Sequence, residues 1–250
     1  MPDVTVETDG GRVTQTGTSE TLDIGTDFGI TSYGSSHLLV HCRVNVNGSI
    51  TGPTSDSGGT SWTTLNFATG NNYQSGWYLV DGGDISDDTI VWSHSGGSAF
   101  MATCMFKLGN VDPTSANWSS WDGMTYNEAS GSDPFDFNSQ TIDVTTGNDG
   151  SAVFASLLCG SSQTFVTPTG YTDLSPLSNS FQYNGYRVWS SSLPSAHSIS
   201  IDITTSANIK MGNAVVVGAE AAGGATQPRW HRAGGIPGMG YSKPIIGRSW

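Results

Sequence analysis

Positive charge is scarce in this sequence. Nine Lys and Arg face 21 Asp and Glu, and the imbalance is uneven along the chain. Residues 1–220 hold every acid and five of the basic residues (Arg12, Arg43, Lys107, Arg187, Lys210), a formal charge of −16, whereas residues 221–250 hold Arg229, Arg232, Lys243 and Arg248 with no acid, a charge of +4. An acidic body repels a phosphate backbone, so nucleic acid is not an expected partner, while the basic tail can dock on an acidic neighbour. Long apolar runs are missing too, and no membrane partner is expected. Met1-Pro2-Asp3 opens without the charged and apolar regions of a secretory signal. The three cysteines, Cys42, Cys104 and Cys159, are odd in number and sit in apolar strand candidates, which predicts buried free thiols rather than a disulfide framework.

Catalytic signatures are equally thin. The histidines (His37, His41, His94, His197, His231) show no metal-ligand spacing such as His-Glu-x-x-His. His37 and His41 share one face of an extended segment but lie about 13 Å apart at strand rise, too far to hold one ion. Neither a Gly-x-Ser-x-Gly elbow nor a phosphate loop is present. Glutamate is limited to Glu7, Glu20, Glu128 and Glu220, and the many aspartates single out no pair of carboxylates placed for glycoside hydrolysis. The expectation is a protein that is not an enzyme and carries no cofactor.

What is abundant is Gly, Ser, Thr and Asn, with only 12% charged residues and no convincing amphipathic helix. That composition suits many turns and short strands. His37 to Val46 alternates with period two: Leu38, Val40, Cys42, Val44 and Val46 on one face, His37, His41, Arg43 and Asn45 with Leu39 on the other. It reads as a half-buried strand, followed by the hairpin signal Asn47-Gly48. A more evenly apolar counterpart, Ser151 to Cys159, comes later and is expected to be covered on both faces. Thr21-Leu22-Asp23-Ile24 has an echo in Thr141-Ile142-Asp143-Val144. A constant offset of 109 residues then aligns Gly59–Gly109 with Pro168–Gly218 without a gap, placing Trp77 on Tyr186, Ile90 on Ile199, Phe106 on Val215 and Gly76 on Gly185. Two related sheets can bury their apolar faces only against each other. The predicted fold is therefore all-β: a two-layer antiparallel β-sandwich, jelly-roll-like, built from two related halves, with an extended C-terminal arm. Residues 1–18 form an N-terminal arm or edge strand, 19–109 half one, 110–137 a crossover loop, 138–220 half two and 221–250 the arm. Two tandem β domains divided near residues 110–137 are the other arrangement this pattern allows.

Three stretches are candidate sites. Asp81, Asp84, Asp87 and Asp88 cluster between two strand candidates and read as a solvated turn or a weak calcium site. In the dividing segment, Trp118, Trp121 and Tyr126 either pack over the end of the sandwich or form a platform for sugar rings, which would make a glycan the ligand. The Gly/Pro-rich tail carries Arg229, Trp230, Arg232, Met239, Tyr241, Lys243, Ile245, Ile246, Arg248 and Trp250, cations and bulky anchors suited to an arm laid over an acidic surface, on its own body or on a neighbour.

The Ser/Thr/Gly-rich strands Leu38–Val46, Gly76–Val80, Thr89–Trp92 and Phe100–Gly109, with the tail from Pro228-Arg229-Trp230-His231-Arg232 to Pro244-Ile245-Ile246-Gly247-Arg248-Ser249-Trp250, resemble a structural protein of a tailed bacteriophage virion. The resemblance is one of style over most of the chain, without a diagnostic motif. It implies a virion location after synthesis in the host cytoplasm. It also implies a jelly-roll body that decorates a capsid or serves as another head or tail accessory, with copies of itself and other virion proteins as partners. A carbohydrate-binding or host-recognition module of fibre or spike type is the alternative.

Overall fold

The computed structural model describes residues 2–46, 48–70, 73–112, 119–121, 135–136, 150–173, 180–189, 200–203 and 210–220. The fold is all-β and antiparallel. In chain order the first half contributes β1 (Thr5–Gly17), β2 (Ser19–Asp23), β3 (His37–Val44), β4 (Ile50–Ser55), β5 (Thr60–Ser61), β6 (Thr63–Gly70), β7 (Tyr73–Asp81), β8 (Thr89–His94) and β9 (Ala99–Gly109). The remainder follows as β10 (Ser119–Trp121), β11 (Phe135–Asp136), β12 (Ala152–Gln163), β13 (Phe165–Val166), β14 (Thr172–Asp173), β15 (Ser180–Val188), β16 (Ser200–Ile203) and β17 (Lys210–Val217). The single described α-helix, α1 (Ile24–Phe28), begins where Asp23 accepts from the Thr26 N–H at 2.6 Å, so the strand anticipated through Ile24 stops at Asp23.

Two five-stranded sheets form the centre, in the orders β1-β9-β3-β7-β6 and β10-β17-β12-β15-β14. Each half also has a smaller sheet, β2-β8-β4-β5 in the first and β11-β16-β13 in the second. The two central orders are the same order, position for position. Strands β3 and β12 occupy the middle, β9 and β17 flank them on one side, β7 and β15 on the other. Segment 110–137, expected to be a crossover loop, supplies β10 and β11 to the sheets of the second half. Residues 141–144 lie outside the described residues, and β11 pairs with β16 as β2 pairs with β8. The N-terminal segment is an edge strand, paired with β9 and broken by register shifts at Val6/Thr8 and Asp9/Arg12. Such bulges, with Glu7, Asp9 and Arg12 along the edge, discourage pairing with a further strand.

The first central sheet is buried on both faces. One face packs on β2-β8-β4-β5 through Leu38, Val40, Cys42, Val44, Tyr78, Val80, Ile90, Trp92, Met101 and Met105. The other meets the second central sheet through Leu39, Trp77, Leu79, Phe106, Leu108, Phe154, Val215 and Val217. The half-buried reading of His37–Val46 is therefore corrected: all eight residues of β3 are buried, His41 and Arg43 completely. Residues Ala152 to Leu157 of β12 are buried as anticipated, Phe154 among them. The Leu158 side chain lies outside the described residues. The hairpin expected at Asn47-Gly48 is also corrected. Asn47 is outside the described residues, and the strands on either side, β3 and β4, belong to different sheets, so the chain crosses between layers there.

Across the seam between the halves, β6 lies against β17 and β10, and β7 against β17. On the opposite side Asp9 of β1 is within electrostatic reach of Asp173 of β14. The halves thus face each other with strand orders reversed, as two copies do across a two-fold axis. Register adds one refinement to the repeat. His37 pairs with Leu108 and Ala152 with Val217, consistent with the offset of 109 between β9 and β17. On the other flank His37 pairs with Asp81 but Ala152 with Val188, so β15 is slid by two residues relative to β7. A slip of two keeps every side chain on its face.

Candidate functional site

The acidic turn closes on itself through backbone bonds. Asp81 accepts from the Gly83 N–H at 2.9 Å, and Asp87 Oδ1 from the Thr89 N–H at 2.9 Å and the Asp56 N–H at 3.2 Å. Asp88 accepts from the Tyr33 hydroxyl. Asp84 is exposed, its backbone carbonyl taking the Thr60 hydroxyl at 3.2 Å. The residue that organises the turn is Asp56, from the β4–β5 connection, which sequence reasoning did not single out. Its Oδ1 accepts from the N–H groups of Ser86 (2.9 Å) and Asp87 (2.6 Å), and its Oδ2 from the Thr60 hydroxyl (2.9 Å). Burial pushes its carboxyl up, but the Asp87 and Ser86 donors outweigh that and hold it below the usual range. Among the described residues no group of three or more His, Cys, Asp or Glu is placed to hold a metal ion. The four aspartates are therefore not brought together as a ligand set.

Of the aromatic candidates, Trp118 and Tyr126 lie outside the described residues. Trp121 stands in β10, the edge strand of the second central sheet, opposite Ala214 of β17. The whole tail, with Arg229, Trp230, Arg232, Met239, Tyr241, Lys243, Ile245, Ile246, Arg248 and Trp250, also lies outside the described residues.

Among the described residues chemically capable side chains gather most densely at the seam. Gln182 Nε2 lies 3.0 Å from both His41 Nδ1 and Asn184 Oδ1, and Asn184 Nδ2 donates to Cys104 Sγ at 3.1 Å. Because the amide nitrogen can only donate, His41 Nδ1 is the acceptor and Nε2 carries the ring proton. The His41 ring lies against Trp77 with centroids 4.4 Å apart. Trp77 Nε1 donates to Asn213 Oδ1, Asn213 Nδ2 to Ser75 Oγ at 3.0 Å, and Asn66 Nδ2 to the Ala214 carbonyl at 3.0 Å. An aromatic run continues the contact into the apolar end, with Phe106 to Phe154 at 5.5 Å and Phe154 to Tyr186 at 5.7 Å.

A thiol, an imidazole and two amides in one cluster are the residue types of a cysteine hydrolase. Their electrostatics point the other way. Burial holds the Cys104 thiol up at about 12 and pushes His41 down to about 3, with Arg43 adding to the second effect. A nucleophile and base pair needs a thiolate and a basic imidazole near neutral pH. What the arrangement does is fasten one half to the other. Trp77 with Asn213 on one side of the pseudo-axis corresponds to Asn184 with Cys104 on the other, and Ser75 with Asn213 to Gln182 with Cys104, where the Gln182 Nε2 to Sγ distance is 3.9 Å. These equivalences follow the two-residue slip of β15.

No family model, curated protein or solved structure matches the chain.

His41 and Arg43 were legible as polar residues on a strand, but alternation says nothing about what covers the second face. Arg43 is fully buried, its Nε donating to Asn45 Oδ1 at 3.1 Å and its guanidinium lying 5.9 Å from the Tyr73 ring centre and 5.7 Å from that of Phe100. The signal available in the sequence was the clustering of amides, Gln182, Asn184 and Asn213, at positions of the second half that face the same way as its apolar residues.

Proposed function

We propose that the protein is a non-enzymatic structural component of a virion, a capsid decoration protein or other external head or tail accessory, acting by oligomerisation and by docking of its C-terminal arm. The observation that carries this reading is the division of charge. A folded body with a formal charge of −16 over residues 1–220 is followed by a +4 tail rich in Gly, Pro and bulky anchors. Its partners are copies of itself and other virion proteins. Two halves tied through a buried polar seam give such a protein a stiff platform, which suits a part that holds position on a particle. The resemblance to tailed-phage structural proteins supports the same assignment.

The test is the oligomeric state of the full chain and of a chain lacking residues 221–250, by light scattering, with circular dichroism as the control for folding. Deletion is expected to leave a folded body that no longer assembles, and charge reversal at Arg229 and Arg232 to weaken assembly in the intact chain. Assembly that survives both changes overturns arm docking. The competing reading, a glycan-recognition module, rests on Trp121 in an edge strand, with Trp118 and Tyr126 near it in sequence. Selective retention on a glycan array that is lost in Trp121→Ala would favour it.

A further inference from the structure

Glu20 is a carboxyl in the wrong place for an ordinary surface strand. It lies on the inward face of β2 beside Leu22 and is completely buried. Its Oε2 accepts from Trp92 Nε1 of β8 at 2.8 Å and from the Thr103 hydroxyl of β9. The same Trp92 N–H reaches the Thr103 oxygen at 2.9 Å. Three strands from two sheets thus meet at one oxygen. The second oxygen, Oε1, is buried and has no hydrogen-bond partner among the described residues.

Among the described residues no cation compensates this group. Arg43 and Arg12 pair in register with Ala102 and Cys104, on the seam side of the central sheet, and Lys107 is bound to Glu7 at 3.1 Å. The other ionisable groups around it do not help. On β3 there is the buried thiol of Cys42, and on α1 Asp27, which repels a second negative charge. On β8 there is His94, two residues beyond Trp92 on the inner face, whose Nε2 is engaged by the Gly17 carbonyl at 3.0 Å. On its inner face β9 brings Met101 and Met105 alongside Thr103. A carboxylate with one oxygen unpartnered and no counter-ion is costly to bury, whereas a protonated carboxyl can donate to Thr103 and leaves only a neutral carbonyl unmet.

We propose that Glu20 is a protonation latch in the first half: with its proton it ties β2 and β8 to β9, and on losing the proton it loosens the outer sheet from the central one. Burial acts in the same sense, raising the carboxyl above its ordinary 4.5 against the pull of Thr103 and Trp92. The sign follows from linkage. A group whose folded pKa is raised contributes its stability fully below the pKa of the open state and loses it as pH rises through the folded value. This inference is independent of the virion reading.

The test is backbone hydrogen exchange in the full chain between about pH 4 and about pH 7, corrected for intrinsic rates. The β2 and β8 amides are expected to lose protection about tenfold per pH unit above about 4.5 and then level off at the folded pKa, while β3 amides do not follow. Glu20→Gln should make the β2 and β8 profile flat. Thr103→Val keeps the carboxyl but removes its bond to β9 in either protonation state, and should lower β2 and β8 protection at about pH 4 while leaving β3 protected; it serves if the Gln variant does not fold. A flat wild-type profile, an unchanged slope in Glu20→Gln, or unchanged β2 and β8 protection at about pH 4 in Thr103→Val overturns the latch.

Discussion

His41 is the residue whose chemistry the fold changes most. Beside Gln182, Trp77 and Arg43 it is buried neutral, its pKa pushed from 6.5 to about 3. In the unfolded chain it gains a proton below about 6.5, and in the folded chain it does not, so stability falls as pH drops from 6.5 towards 3. The loss reaches up to about 5 kcal/mol if the whole shift is expressed. Urea denaturation at a series of pH values should show that decline in the wild type and a shallower one in His41→Gln. The bond between Trp77 and Asn213 is the second residue-scale test. In a double-mutant cycle of Trp77→Phe and Asn213→Ala, a coupling of about 0.5–3 kcal/mol is expected, because both groups are buried and each leaves the other unpaired. Coupling near zero would mean that the pair does not hold the seam.

Among the elements, β7 and β15 show how each half makes room for its core. A Cβ at Gly76 would come within 2.5 Å of Tyr78 Oη, and one at Gly185 would collide with the Tyr183 hydroxyl. Each glycine is the floor on which a tyrosine of its own strand lies. Gly76→Ala and Gly185→Ala should each lower stability by about 1–3 kcal/mol through overpacking, measured by thermal unfolding. The tyrosine follows the glycine in β7 and precedes it in β15, so with the two-residue slip Gly76 stands at the position of Tyr183 and Tyr78 at that of Gly185. That slip could not be read from the gapless alignment, because a period-two pattern is unchanged by a shift of two. Element types were legible: alternation marked Leu38–Val46, Gly76–Val80 and Phe100–Gly109 as strands, and each lies largely within one. Layering was not, because His41 and Arg43 look like a solvent face until a second sheet is laid over them. Asp56 escaped notice for a related reason, since it stands far in sequence from the turn whose N–H groups it binds.

Among the described residues the molecule is one β unit used twice, with the two copies packed face to face. Its central sheets share a strand order, face each other about a pseudo-axis, and bury a seam that is polar around His41, Gln182 and Asn213 and apolar around Phe106 and Phe154. Such a seam makes the halves mutually dependent: opening either one exposes apolar surface and unpaired amides of the other. The edge strand β1 should exchange its amides sooner than the strands it borders. Native-state hydrogen exchange across a denaturant series reads the dependence of one half on the other. Amides of β3 and β12, the middle strands of the two halves, are expected to converge on one opening free energy equal to that of global unfolding. Exchange of β12 at lower denaturant, with β3 still protected, would show two independent domains and contradict it.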